Sequence, residues 1–177
     1  LEIEREADLN GREDQHIDII RRKTADLFAA CMRIGAILGD ASPEEERALS
    51  AYGLALGLAF QMKDDLLDFT ASEKKLGKPV GLDLREGKLT LPIIYMLEKG
   101  DPQTRAMVET VVEDRSFDRV SHPEIVAVAK RSGAIARAEA MAVRQAEAAR
   151  AALSVFAPSP ERTALMTLPD FILARDH

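Results

Sequence analysis

Residues 51–60 read Ala-Tyr-Gly-Leu-Ala-Leu-Gly-Leu-Ala-Phe, a run without a charged side chain, and the eight positions after it hold three aspartates. A start signal precedes the run. Ser42, Pro43 and Glu45 stand at the N-cap, N1 and N3 positions of a capping box, and one helix is expected from there to about Phe69. A helix that is apolar on all sides for nearly three turns has to be buried, near the centre of a bundle of other helices. Its far end then carries carboxylates in or beside a core. That placement costs free energy unless a cation meets them.

The rest of the 177 residues supplies partners of the same kind. Leu1 to Ala7 reads as a helix end and Asp8 to Gly11 as a loop. A long helix is expected from about Glu13 to Leu38, with Ile17, Ile20, Leu27, Met32, Ile34 and Ile37 as its apolar positions and Gly39-Asp40 as its stop. Further helices are expected from Thr90-Leu91-Pro92 to Lys99 and from Pro102 to Asp114. A second capping box, Ser121-His122-Pro123-Glu124, opens a helix to about Phe156 that is interrupted near Gly133. The last helix covers Glu161 to Ala174. No stretch alternates with the period of a strand, so the fold class is all-α. Between Thr70 and Leu91 lies a long basic loop punctuated by Gly77, Gly81 and Gly87, with a short helical turn inside it. Loops of this length are usually functional or disordered.

Composition excludes several function classes. A net charge of −6 argues against a nucleic-acid partner. No run approaches the roughly 20 apolar residues of a membrane span. The single cysteine, Cys31, rules out an internal disulfide and suits a reducing, cytoplasmic compartment. Its neighbours Ala29, Ala30 and Met32 suggest a small core residue. His16, His122 and His177 show no metal-ligand spacing.

On a helix, Gln61, Asp64, Asp65 and Asp68 fall at i, i+3, i+4 and i+7, a single stripe. Two readings fit. One is a solvated acidic helix end. The other is a site for a hard divalent cation such as Mg²⁺, which takes carboxylate oxygens and shares its remaining positions with phosphate and water. DDxxD by itself does not choose. Basic residues flank the acids, with Arg21-Arg22-Lys23 earlier and Lys78, Arg85 and Lys88 later. Acids for a metal and bases for an oxyanion are what a diphosphate site needs.

These residues match a family pattern. Phe60-Gln61-x-x-Asp64-Asp65-x-x-Asp68, followed by Leu76-Gly77-Lys78-Pro79-x-Gly81-x-Asp83-Leu84-x-Glu86-Gly87-Lys88-x-Thr90-Leu91-Pro92, resembles the second aspartate-rich motif of the trans-isoprenyl (polyprenyl) diphosphate synthases. Arg22-Lys23-Thr24-Ala25-x-Leu27-Phe28 resembles the Lys-Thr motif of the same family, and the wording resembles that of the bacterial octaprenyl- and decaprenyl-type members. The resemblance implies an orthogonal helical bundle of the isoprenoid synthase type. Residues 1–177 would be the C-terminal part of a single synthase domain. It implies a prenyltransferase that condenses an allylic diphosphate with isopentenyl diphosphate, yielding a polyprenyl diphosphate of the kind that supplies quinone side chains. Asp64 and Asp68 would bind Mg²⁺, with Asp65 in support. Lys23 and Lys78 would bind diphosphate. Thr24 and Gln61 would flank the reacting carbon, and Phe60 would line the pocket. Lys88 would bind substrate or, with Asp83, support the loop, which would close as a lid over the site. A homodimer built through bundle helices is also implied, and contact of a lipophilic product with a membrane surface is compatible with it.

One departure matters. The family's first aspartate-rich motif, and a Gly-Gly-Lys-x-Arg pattern for isopentenyl diphosphate, do not occur in these residues. The expectation is therefore half of a catalytic centre, inactive alone. The main alternative is a non-catalytic subunit of a heteromeric prenyl synthase. A diphosphate hydrolase, a terpene cyclase and a ligand-free helical interaction domain are weaker rivals.

Overall fold

The computed structural model describes residues 12–70 and 80–175. Among these residues every regular element is helical. In chain order they are α1 (Glu13–Ile20), a π turn (Arg21–Ala25), α2 (Asp26–Leu38), α3 (Pro43–Thr70), α4 (Leu82–Arg85), α5 (Leu91–Lys99), α6 (Pro102–Asp114), α7 (His122–Arg131), α8 (Ala134–Ala152), a 3₁₀ turn (Leu153–Val155) and α9 (Pro160–Ala174). The expected helix end at Leu1 to Ala7 and most of the expected loop, including Gly77 and Lys78, lie outside the described residues.

The local signals act as expected. The backbone N–H of Ser42 donates to Glu45 at 2.8 Å, and the N–H of Glu45 donates back to the Ser42 hydroxyl at 3.3 Å. Ser121 and Glu124 form the same box at the start of α7. Gly133, at φ +77°, separates α7 from α8. Asp40 takes the left-handed conformation after α2, φ +52°, while Gly39 does not.

The chain forms two compact units. One comprises Ile17–Asp64 and Glu139–Arg175. Its core joins Tyr52, Ala55, Leu56 and Ala59 of α3 to Ala146 and Ala149 of α8, Leu153, and Ile172 of α9. Small side chains on both sides let these helices approach closely, and tight packing there is the main favourable term. The Tyr52 hydroxyl donates to the carbonyl of Leu165 at 2.8 Å, and burial pushes this phenol up to about 12.

Within the same unit α3 also meets the π turn and α2. A Cβ added at Gly53 would lie 2.6 Å from the carbonyl oxygen of Phe28, and one at Gly57 2.6 Å from Cα of Ala25. Two glycines one turn apart thus allow backbone to touch backbone.

Two expectations fail on α2. Cys31 is exposed rather than a core residue. Leu27, Ile34, Ile37 and Leu38 are between 54% and 81% exposed. The inner face of α2 belongs to Phe28, Met32 and Ala36, so Cys31 and the other four fall on the opposite side of the helix.

The other unit consists of residues 12–16, 65–70 and 80–138. Its centre is α5, in which Leu91 to Met96 are all buried. The guanidinium of Arg137 stacks 3.6 Å above the ring of Tyr95 and pairs with Glu13 and Glu98. Gly81 adopts φ +65° against the rings of Phe117 and His122, where a side chain would collide.

Candidate functional site

In the unit of Ile17–Asp64 and Glu139–Arg175, the site is built around the glycine contact. Because Gly57 admits the backbone of Ala25, the next turn of α3 comes level with Thr24. The Thr24 hydroxyl donates to Oε1 of Gln61 at 3.0 Å, joining residues 37 positions apart. The helix is locally widened here. The amide N–H of Asp26 donates to the carbonyl of Arg21, a spacing of five rather than four. Such π turns are rare and occur often at functional sites. Lys23 sits on this turn and is exposed, and Arg21 and Arg22 both pair with Asp18. Phe60 packs against Phe28 with ring centroids 5.7 Å apart. Asp64, one turn beyond Phe60, is 46% exposed and accepts a hydrogen bond from Nη2 of Arg175 at 3.3 Å.

In the other unit, Asp65 and Asp68 are nearly enclosed, at 5% and 6% exposure. Buried carboxylates need partners. Asp65 has its Oδ2 2.9 Å from Nε2 of His16. Asp68 accepts the backbone N–H of Asp83 at 3.1 Å through Oδ2, and its main-chain carbonyl accepts the N–H of Gly81 at 2.8 Å. The start of α4 is thereby tied to the aspartate helix. Lys88 closes that segment. Its ammonium reaches Glu86 at 2.6 Å and Asp83 at 3.2 Å. The hydrogen bond to Glu86, then that to Asp83, pushes the lysine up, and the same Lys88 contact holds Glu86 below its usual range.

The structure therefore brings together Thr24 with Gln61 and places Phe60 and Asp64 beside them in one unit. It places Asp65, Asp68, Asp83 and Lys88 together in the other. Lys78 lies outside the described residues. Among the described residues no three His, Cys, Asp or Glu side chains converge into a metal cage. In the first of these units, Asp64 presents a half-exposed carboxylate, the donor type that a hard divalent cation takes. Sequence reasoning missed two residues. His16 lies two helical turns before Lys23, a spacing that could have flagged it. Arg175 meets Asp64 across 111 positions, and no local pattern signals such a contact.

The chain is similar to known proteins. Residues 1–128 match the family model for polyprenyl synthetase. The short chain isoprenyl diphosphate synthase of Methanothermobacter thermautotrophicus is 38% identical over 177 residues, covering 100% of this chain and 54% of that protein. The octaprenyl diphosphate synthase of Escherichia coli K12 is 38% identical over 164 residues, 93% of this chain and 50% of that protein. The crystal structure of a decaprenyl diphosphate synthase from Rhodobacter capsulatus superposes with a TM-score of 0.87 at 34% identity, over 97% of this chain and 53% of that one. A polyprenyl synthase from Caulobacter crescentus CB15, complexed with calcium and isoprenyl diphosphate, gives a TM-score of 0.88 at 36% identity, over 98% of this chain and 53% of that one. The chain spans about half the length of these relatives. By its helical fold, its motifs and these matches, the chain belongs to the polyprenyl synthetase family.

Proposed function

We propose that this chain supplies the second metal–diphosphate wall of a trans-prenyltransferase that joins an allylic diphosphate to isopentenyl diphosphate. The observation that carries the reading is the 3.0 Å hydrogen bond from Thr24 to Gln61. Two motifs recognised separately in the sequence meet there, one turn before Asp64. The relatives named as isoprenyl, octaprenyl and decaprenyl diphosphate synthases support it.

Asp64 and Asp68 would hold Mg²⁺, and Asp65, whose carboxylate meets His16, would support them. When bound, the cation supplies electrostatic stabilisation of the charge that grows on a departing diphosphate. Lys23 and Lys78 bind the same oxyanion, and Lys88 steadies Asp83 and hence Asp68. The carbonyl oxygen of Gln61 and the hydroxyl oxygen of Thr24 face the carbon that becomes positive. The Thr24 hydroxyl donates to the amide carbonyl, which fixes both oxygens in place before reaction. Phe60 excludes water from that carbon. The double bond of isopentenyl diphosphate attacks, and a proton leaves to the departing diphosphate.

The chain is one part of a single larger synthase domain, cytoplasmic and homodimeric in line with the family. The apolar stripe of Leu27, Ile34 and Leu38, spaced as a bundle seam, supports burial against further helices. The 177 residues alone have no condensing activity. In the intact protein, incorporation of labelled isopentenyl diphosphate into polyprenyl product falls by orders of magnitude in Asp64→Ala, with the helical circular dichroism retained. Near-normal turnover in that variant contradicts the metal role.

A further inference from the structure

We propose that Arg175 is a diphosphate-binding residue, a donor from the end of α9 to the oxyanion that the metal holds at Asp64. The inference rests on the reading of α3 as a metal–diphosphate wall. It concerns residues of one compact unit only.

Three observations converge on this side chain. Its Nη2 gives one long hydrogen bond, 3.3 Å, to Oδ1 of Asp64. Its guanidinium carbon lies 4.7 Å from the centroid of the Phe60 ring. Its Nη1 is buried and has no hydrogen-bond partner. A guanidinium offers five donors in a rigid fork, and a buried donor left unmade is costly. Structural ion pairs of arginine are usually two-armed and short. Here one arm is weakly used and the other is unused. The side chain is nevertheless held firmly, because the ring of Phe60 supports its plane. The backbone is held too. Arg175 caps α9, and its N–H donates to the carbonyl of Ile172 at 3.3 Å.

A held guanidinium with a spare donor, beside a half-exposed carboxylate, matches one ligand chemistry. A phosphate oxygen of a diphosphate held beside Asp64 would accept from the Arg175 guanidinium, which has a donor to spare. Asp64 would then serve both the cation and Arg175. A cation alone gives Arg175 no acceptor, so Arg175 contributes to binding of the diphosphate and not of the metal.

The test separates these two ligands in the intact protein. Calorimetry with inorganic pyrophosphate and Mg²⁺ reads the diphosphate, and electron paramagnetic resonance with Mn²⁺ alone reads the metal. Arg175→Gln is expected to weaken pyrophosphate binding by roughly 10- to 100-fold, the worth of a hydrogen bond between charged groups. Arg175→Lys should recover part of that loss, and Mn²⁺ binding should not weaken in either variant. Wild-type affinity for pyrophosphate in Arg175→Gln overturns the proposal and leaves the metal wall standing. A parallel loss of Mn²⁺ binding also overturns it, since Arg175 would then only orient Asp64. Absence of Mg²⁺-dependent pyrophosphate binding in the wild-type protein overturns the wall itself, and this inference with it.

Discussion

Replacing Gly57 by alanine tests whether the glycine contact builds the site. The new Cβ would stand 2.6 Å from Cα of Ala25, 3.1 Å from its Cβ and 3.2 Å from Cβ of Phe28. Ordinary carbon contacts lie near ~3.5–4.0 Å, so the π turn must retreat by roughly 1 Å. The closest obstacle is backbone, which cannot rotate aside. Overpacking of this kind costs about 1–3 kcal/mol, against a gain of about 1 kcal/mol from better helix propensity. Strain outweighs propensity over all but the low end of that range, and the net loss is up to about 2 kcal/mol, a fall of up to roughly 8 °C in Tm for a chain of this size. Thr24 is next to Ala25, and a retreat of about 1 Å opens its 3.0 Å bond to Gln61 beyond hydrogen-bond range. Turnover should then fall about 100-fold, as misplacement on that scale does elsewhere. Gly35→Ala is the control. A Cβ there meets nothing within 4 Å, so the same chemical change should stabilise the protein by about 0.5–1 kcal/mol. Thermal unfolding and the condensation assay decide. Equal effects of the two substitutions on Tm and turnover would refute the reasoning.

Removing the ring of His16 with His16→Ala deprives nearly buried Asp65 of a 2.9 Å partner and should cost about 1–3 kcal/mol in urea unfolding. His16→Asn should restore part of it, and an unchanged midpoint for the alanine variant would show that the contact contributes nothing. Alkaline pH should unfold the protein through its tyrosines. Burial raises Tyr52 from 10.0 to about 12, so its contribution is intact below pH 10 and is lost as pH climbs through 12. Burial raises Tyr95 to about 12 as well. Phenolate absorbance should therefore rise together with loss of helical circular dichroism. Free titration of both tyrosines near pH 10 in folded protein would contradict their burial. The 177-residue chain by itself should incorporate no labelled isopentenyl diphosphate, and measurable product would count against the half-site reading.

Local signals were legible in the sequence because their physics is local. The capping boxes at Ser42 and Ser121 and the break at Gly133 each depend on a few neighbouring residues. The buried course of α3 was equally plain, since no amphipathic face exists between Tyr52 and Ala59. Contacts that depend on tertiary approach were not legible. The π turn at Lys23-Thr24 has no composition of its own. Arg33, Arg150 and Arg175 look alike in sequence, yet only Arg175 meets a site aspartate. Apolar residues on α2 seemed to belong to one core, but the helix divides them. Phe28 and Met32 face α3, while Leu27, Cys31, Ile34 and Leu38 are exposed. Helical spacing gives a face but not its partner.

The most direct test of the account is a calorimetric titration of a non-reactive allylic diphosphate analogue into the intact protein, with Mg²⁺ and then with chelator. The account predicts binding that requires Mg²⁺ and is abolished when Asp64 and Asp68 are both changed to alanine. Equal binding in chelator, or undiminished binding in the double variant, would contradict it.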